Sequence, residues 1–386
     1  MRILLTSDLY TTDTNGVVTS VKNLTESLEA RGHEVRILTI ADEMHSYRVG
    51  KVFYIRSIPL GAVYPDVRMA TSYRHRLIKQ LVDWKPDVIH SQCEFFSFQF
   101  AQYIAKKTGA PIVHTYHTLY EQYVGYVMPF KKTGEKLVAK FSHQRLKKVQ
   151  YIIAPTRKVE DTLRGYGLEV PISVVPSGIR LEQHGDRSTP QERAQKRQEL
   201  GIDPNSRVLV NVGRLGTEKN LDELVRFFAQ SLDRVQDLRF LIVGDGPARE
   251  GLEKLSKELG VEDRVVFTGM VAPSKVQEYY QLGDVFVSAS TSETQGLTYV
   301  EASANGLPLL CRQDPCLRDV MICGENGYDY TDVESFQQGL EKIFADEQWR
   351  VAAGERGRQI AARYGKEAFG DAVIGVYEKA LDLVKC

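Results

Sequence analysis

With 386 residues, 42% of them hydrophobic, the chain is long enough for two domains of ordinary size, and its composition excludes a disordered, collagen-like or disulfide-built protein. No apolar run reaches the ~18 residues of a membrane-spanning helix, and the five scattered cysteines (Cys93, Cys311, Cys316, Cys323, Cys386) have no histidine at metal-ligand spacing. The net charge of zero hides an asymmetry: residues 1–180 hold 25 Lys and Arg against 16 Asp and Glu (+9), leaving 25 against 34 (−9) in residues 181–386.

Short β-branched runs alternate with amphipathic segments along the whole chain, the pattern of parallel β-α units. In the first half Ile3–Ser7, Val35–Ile40, Asp87–His90, Pro111–Thr115 and Tyr151–Pro155 read as strands. The first of these meets Asp8 too early for a secretory signal peptide. A helix with Val17, Val21, Leu24 and Leu28 on one face lies between the first two strands, opened by Asn15-Gly16 and closed by Gly32. In the second half Arg207–Val212, Leu238–Val243, Val265–Thr268, Val285–Ser288 and Pro308–Cys311 are expected strands, and the polar stretch Glu182–Glu199 reads as a linker. Two doubly wound α/β domains are therefore expected, over 1–180 and 181–365. The helical stretch 366–386 is expected to pack back on the first domain.

Ligands of such sheets sit beyond the carboxyl ends of the strands. Gly16, at a helix start after the first strand, would let a phosphate or sugar approach the backbone, though a plain turn fits as well. The loop Gly213-Arg214-Leu215-Gly216-Thr217-Glu218-Lys219-Asn220 places two cations beside a helix N-terminus. That suits a departing diphosphate, and alone it fits a solvated loop equally. Val243-Gly244-Asp245-Gly246-Pro247 resembles the start of a nicotinamide fingerprint but lacks its third glycine, so it reads as a tight turn near a nucleotide. In Glu293-Thr294-Gln295-Gly296-Leu297-Thr298-Tyr299-Val300-Glu301 the amides of Thr294 to Leu297 would face a phosphate. The two carboxylates, eight residues apart, would bind hydroxyls at two ends of one ligand, a sugar and a ribose.

Taken in order, the Gly213–Asn220, Val243–Pro247 and Glu293–Glu301 motifs resemble family 4 of the retaining glycosyltransferases. A narrower resemblance, to bacterial 1,2-diacylglycerol glucosyltransferases, is carried by Asn15-Gly16-Val17-Val18-Thr19-Ser20, by His114 through Tyr123, by Glu293–Tyr299 and by Asp314 through Gly327. The resemblance implies the GT-B architecture, two Rossmann-like domains facing across a cleft. The N-terminal domain would bind the acceptor and the C-terminal one the nucleotide sugar. It further implies that Arg214 and Lys219 hold the diphosphate, Glu301 the ribose, Glu293 the transferred sugar, and that Gly16 lies by the diphosphate. His117 would lie by the donor sugar and acceptor hydroxyl, with His114 structural; a lone histidine at a strand end would otherwise be read as a core residue.

The implied reaction is transfer of a hexose, glucose first among them, from a UDP-sugar to a membrane lipid such as 1,2-diacylglycerol, giving an α-linked product. The alternative is another sugar or a soluble acceptor on the same fold. With two cations at the donor loop and no Asp-x-Asp motif there, no metal is expected to be obligatory, and UDP-sugar is the donor substrate rather than a resident cofactor. Residues 131–148 carry Lys131, Lys132, Lys136, Lys140, Arg145, Lys147 and Lys148 against Glu135 alone. At about 100° per residue Lys136, Lys140, His143 and Lys147 share one stripe, with Leu137, Val138, Phe141 and Val149 largely opposite. After the apolar stretch 123–130 this reads as a peripheral contact with an anionic membrane, on the cytoplasmic face, with no nucleic-acid partner. A core-packed helix with a solvated basic face is the competing reading.

Overall fold

The computed structural model describes residues 1–10, 15–59, 68–70, 75–123, 131–185 and 188–385. The chain divides into two compact units, Met1–Gly178 with Lys366–Cys386, and Ile179–Gly365.

The first unit is built on an eight-stranded sheet of order β10-β9-β8-β7-β1-β2-β4-β3. Its strands are β1 (Arg2–Thr6), β2 (Glu34–Ile40), β3 (Tyr47–Val49), β4 (Val52–Ile55), β7 (Val88–Ser91), β8 (Ile112–Thr115), β9 (Tyr151–Ala154) and β10 (Ile172–Val174). All pairings in it are parallel except β3 with β4. β5 (Ser57–Pro59) and β6 (Arg68–Ala70) form a separate antiparallel pair. β1 is apolar on both faces because both are covered. Leu4 enters a core with Phe53, Phe98 and Ile104, while Ile3 and Leu5 enter the opposite core with Val21, Leu24 and Leu28. The helix Gly16–Ala30 starts at Asn15, whose Oδ1 accepts from the Val18 amide at 2.8 Å. The C-terminal helix Lys366–Lys385 buries Phe369, Val373, Val376, Tyr377 and Ala380 against that same helix and sheet face.

The second unit has six parallel strands in the order β13-β12-β11-β14-β15-β16. They are β11 (Arg207–Val212), β12 (Leu238–Val243), β13 (Val265–Phe267), β14 (Val285–Ser288), β15 (Leu309–Arg312) and β16 (Gly327–Tyr330). The order reverses between β11 and β14, which opens a crevice at their carboxyl ends. In the first unit the reversal falls between β1 and β7. Both units are Rossmann-like.

Two features depart from the sequence reading. The stretch expected as a linker contains the helix Pro190–Glu199, which buries none of its residues and is held by a capping box: the Glu192 amide donates to Thr189 Oγ1, and the Thr189 amide to the Glu192 carboxylate. Strands β3, β4, β5, β6, β10 and β16 were not expected; of these the edge strands β3, β10 and β16 have polar or half-buried residues and lack the continuous apolar run of the central strands.

Candidate active site

In the second unit the loops after β11 and β14 meet at the crevice. Lys219 ends a short 3-10 turn, Thr217–Lys219, and its Nζ donates to Glu293 Oε1 at 2.6 Å. Both side chains are mostly shielded, 27% and 18% exposed, so the pair is weakly screened. Ser292 Oγ donates to the Glu218 carbonyl at 3.2 Å, and Asn220 Nδ2 to the Ala289 carbonyl at 3.2 Å, so the two loops are joined by backbone as well as by charge. Arg214 is half exposed, and its guanidinium donates to the buried Glu218 carboxylate. The chain brings Lys219 and Glu293 into contact, and each expected diphosphate cation has a carboxylate partner.

Gly296 precedes the helix Leu297–Ala304 with φ +72, and a Cβ there would strike the Tyr299 ring, so a side chain is excluded on two counts. The Tyr299 hydroxyl lies 3.1 Å from Ser288 Oγ, tying the helix to the end of β14. Thr294 is half-buried and Gln295 buried just before this N-terminus, where backbone N–H groups favour an anion. Glu301 stands in the second turn and accepts from the Tyr280 hydroxyl at 2.8 Å. Burial pushes its carboxyl up to about 7, against a smaller lowering by that hydroxyl.

The loop Gly244–Pro247 serves as a brace. The Leu215 amide donates to the Asp245 carbonyl, and the Ala248 amide to the Leu215 carbonyl, each at 2.9 Å. A Cβ on Gly246 would lie 2.6 Å from the Leu215 carbonyl oxygen. The glycines thus permit close packing against the loop that carries Arg214.

In the first unit a polar cluster occupies the carboxyl ends of β1, β7 and β8. His117 Nε2 lies 2.7 Å from Gln92 Oε1, and burial, reinforced by His114, holds the imidazole down to about 3. It is neutral at ordinary pH. His114 Nε2 lies 3.0 Å from Glu94 Oε1, and the Tyr120 hydroxyl donates to Glu94 Oε2 at 2.5 Å, so the fully buried Glu94 clamps the loop that follows His117. Asp8 Oδ1 accepts from the Ser97 amide at 2.7 Å, and burial pushes its carboxyl up to about 6. Gly16 lies exposed at its helix start. The roles of Gln92, Glu94, Asp8, Glu218 and Tyr280 escaped the sequence reading: Asp8, Gln92 and Glu94 follow strand ends without a motif around them, Glu218 lay inside the Gly213–Asn220 motif without a role, and Tyr280 ends the helix Val276–Tyr280.

On the helix Lys131–Leu146, Lys132, Lys136 and Lys140 are exposed, as is Lys147 in the turn beyond it. Ser142 and Leu146 face inward. Leu137, read as part of the apolar face, is 49% exposed and stands out among the lysines. Residues 124–130 of the apolar stretch and the Lys131 side chain lie outside the described residues. Among the described residues no helix is long and apolar enough to cross a membrane, and no three His, Cys, Asp or Glu side chains group as metal ligands.

Known proteins resemble the chain in sequence and in fold. Residues 14–183 match Glycosyltransferase Family 4, and residues 192–360 match Glycosyl transferases group 1. The alpha-monoglucosyldiacylglycerol synthase of Acholeplasma laidlawii is 32% identical over 100% of this chain and 98% of its own. The enzyme of that name from Streptococcus pneumoniae is 35% identical over 83% of this chain and 73% of its own. Among solved structures, Anabaena HepE in complex with UDP and glucose has a TM-score of 0.77 at 17% identity, covering 98% of this chain and 100% of that one. Sucrose-phosphate synthase from Thermosynechococcus elongatus reaches 0.80 at 21%, covering 99% of both chains. This chain belongs to family 4 of the glycosyltransferases and is a glycosyltransferase of the GT-B fold.

Proposed function

We propose that the enzyme is a retaining transferase that moves glucose from UDP-glucose to a diacylglycerol-type lipid, giving an α-linked glycolipid. The observation that carries the donor half is the Lys219–Glu293 pair at the crevice of the second unit. It holds a cation where a diphosphate would leave and a carboxylate where the sugar hydroxyls would lie. In this reading the second unit binds the donor and the first the acceptor. The bond from the anomeric carbon to the diphosphate oxygen breaks, and Arg214, Lys219 and the amides of Thr294 to Leu297 take up the departing negative charge. Both cations already face carboxylates, so an arriving diphosphate shares or displaces Glu218 and Glu293. Glu293 then accepts from hydroxyls of the transferred sugar and Glu301 from the ribose. Neutral His117 serves as a hydrogen-bonding group toward the donor sugar and acceptor hydroxyl, and Gly16 lets the diphosphate approach the backbone.

Lipid as acceptor is supported by the two diacylglycerol-named relatives and by the exposed Lys132, Lys136, Lys140 and Lys147. These lysines would rest on an anionic membrane surface from the cytoplasmic side. The test is a panel of labelled nucleotide sugars offered with diacylglycerol vesicles, glycosylated diacylglycerol vesicles and water-soluble acceptors. Transfer from UDP-glucose to diacylglycerol, with an α-anomeric product by NMR, is the expected result. Turnover of a soluble acceptor alone would overturn the lipid assignment, and a β-linked product would overturn retention.

A further inference from the structure

Among the described residues the Glu301 carboxylate has one hydrogen-bond partner, the Tyr280 hydroxyl, which donates to Oε2 at 2.8 Å. An ionised carboxylate only accepts, so this charge-assisted bond fixes one oxygen and leaves the other, Oε1, for a ligand. Glu301 is half-buried on the helix Leu297–Ala304, whereas Tyr280 ends the helix Val276–Tyr280 and is fully buried.

Tyr280 is held in place from two sides. Its ring centroid lies 6.1 Å from that of Phe286 on β14, and Phe286 meets Tyr299 edge to face at 5.9 Å. A row of three rings thus links Tyr280 to the Gly296 end of the helix that carries Glu301. Next in the chain, Gln281 accepts from the Ser188 amide at 2.9 Å and donates to the Gly185 carbonyl, which fastens the same corner. The Tyr280 hydroxyl also lies 3.5 Å from the Thr298 carbonyl. Its proton can turn to that second acceptor when the carboxyl is itself protonated and donates in its place. The other titratable group at this corner is His184, whose Nδ1 lies 3.0 Å from Asn305 Nδ2. Asn305 Nδ2 in turn donates to the Glu301 backbone carbonyl, away from the carboxylate.

We infer that Tyr280 is a positioning residue for nucleotide binding: its hydroxyl holds Glu301 so that Oε1 meets a ribose hydroxyl, which selects ribonucleotides over their deoxy forms. The inference rests on the assignment of Glu301 to the ribose made above.

The experiment is calorimetric binding of UDP and of 2′,3′-dideoxy-UDP to the full chain, with Tm measured alongside, in the wild type, Tyr280→Phe, Glu301→Gln and the double variant. The wild type should prefer UDP. Tyr280→Phe should lower UDP affinity by about 10-fold at about pH 7, the low end for a hydrogen bond to a charged group, and barely alter dideoxy-UDP. Removing a donor that favours the ionised carboxyl raises its proton affinity, so UDP binding by Tyr280→Phe should reach its plateau at higher pH than in the wild type. On the Glu301→Gln background the same change should have little further effect, because the two residues act as one unit. Glu301→Asp keeps the charge but ends a methylene short of the hydroxyl, and it should lose the ribose preference as well. A merely structural Tyr280 would weaken both nucleotides alike, on both backgrounds, with the pH profile in place; that result would overturn the inference. Tyr280→Phe or Glu301→Asp with wild-type preference and profile, beside a weakened Glu301→Gln, would overturn the positioning role alone. Glu301→Gln binding UDP like the wild type would overturn the reading of Glu301 itself.

Discussion

Lys219 Nζ and Glu293 Oε1 are 2.6 Å apart although 74 residues separate them in the chain, and their contact joins the loops after β11 and β14 at the point where the strand order reverses. Loss of either side chain removes this ion pair from a shielded place beside the crevice. Lys219→Ala should lower kcat at least ~100-fold, the usual magnitude for losing one group that stabilises developing charge. Glu293→Gln keeps the shape and removes the charge, and it should also fall, through the sugar rather than the diphosphate. Wild-type turnover by a folded Lys219→Ala enzyme would remove Lys219 from the donor site.

Glu301 offers a dependence on pH. Its folded carboxyl, near 7, lies above the ordinary 4.5, so between these values the folded chain binds more protons than the unfolded one. Ionising this group therefore opposes folding, and its contribution to stability declines as pH rises through that window. Ribose hydroxyls donate best to the ionised form, so UDP affinity measured by calorimetry should strengthen from about pH 6 to about pH 8. Glu301→Gln should bind UDP more weakly with a flat profile, and saturating donor should recover much of kcat. A pH-independent affinity in the wild type would separate Glu301 from the ribose.

β11, β12 and β14 were legible because each is an apolar run bounded by turn residues, and they fall on the residues expected from the pattern, whereas the short apolar run of β4, inside the first sheet, was missed. The edge strand β13 was legible as well, but the edge strand β16 was not, since a residue such as Asp329 faces water on one side and breaks the run. The helix Pro190–Glu199 was hidden by the lack of an apolar stripe, although Thr189 and Glu192 stand at capping-box spacing in the sequence. At the site, spacing indicated which residues to expect but not their partners. That Glu293 takes Lys219, or that Glu94 receives both His114 and Tyr120, depends on how separate strand ends are brought together, and no local pattern encodes it.

The C-terminal helix is tied to the first sheet by a polar contact inside an apolar interface. Tyr377 OH lies 2.7 Å from His90 Nδ1, and His90 Nε2 lies 2.7 Å from Thr115 Oγ1, with Tyr377 and His90 fully buried. Tyr377→Phe leaves the buried ring nitrogen without a partner, a loss of about 1–3 kcal/mol. Thermal unfolding should show a lower Tm, by about 2–4 °C per kcal/mol for a unit of this size. An unchanged Tm would mean that His90 does not depend on the hydroxyl.

The exposed lysines of the first unit give the prediction that separates a lipid enzyme from a soluble one. Lys136 and Lys140 project from the helix Lys131–Leu146 into solvent, Lys147 follows in the turn, and Leu137 is exposed among them. A solvated helix face needs no exposed leucine, whereas a leucine amid lysines suits a surface that is apolar just beneath anionic head groups. Each lysine near such a surface contributes about 1 kcal/mol, and salt screens it over about 8 Å at physiological ionic strength. Changing Lys136, Lys140 and Lys147 together to Glu replaces three attractions by three repulsions and should abolish sedimentation with anionic vesicles. Turnover of vesicle-embedded acceptor should fall in parallel, while UDP binding in solution, a property of the other unit in this reading, stays intact. Leu137→Ser should weaken docking without altering its salt dependence, because it removes apolar contact and no charge. Raising the salt should release the wild type and leave the triple variant unaffected. A triple variant that still sediments and turns over like the wild type would reduce the lysines to a solvated face and leave the lipid acceptor resting on the relatives alone.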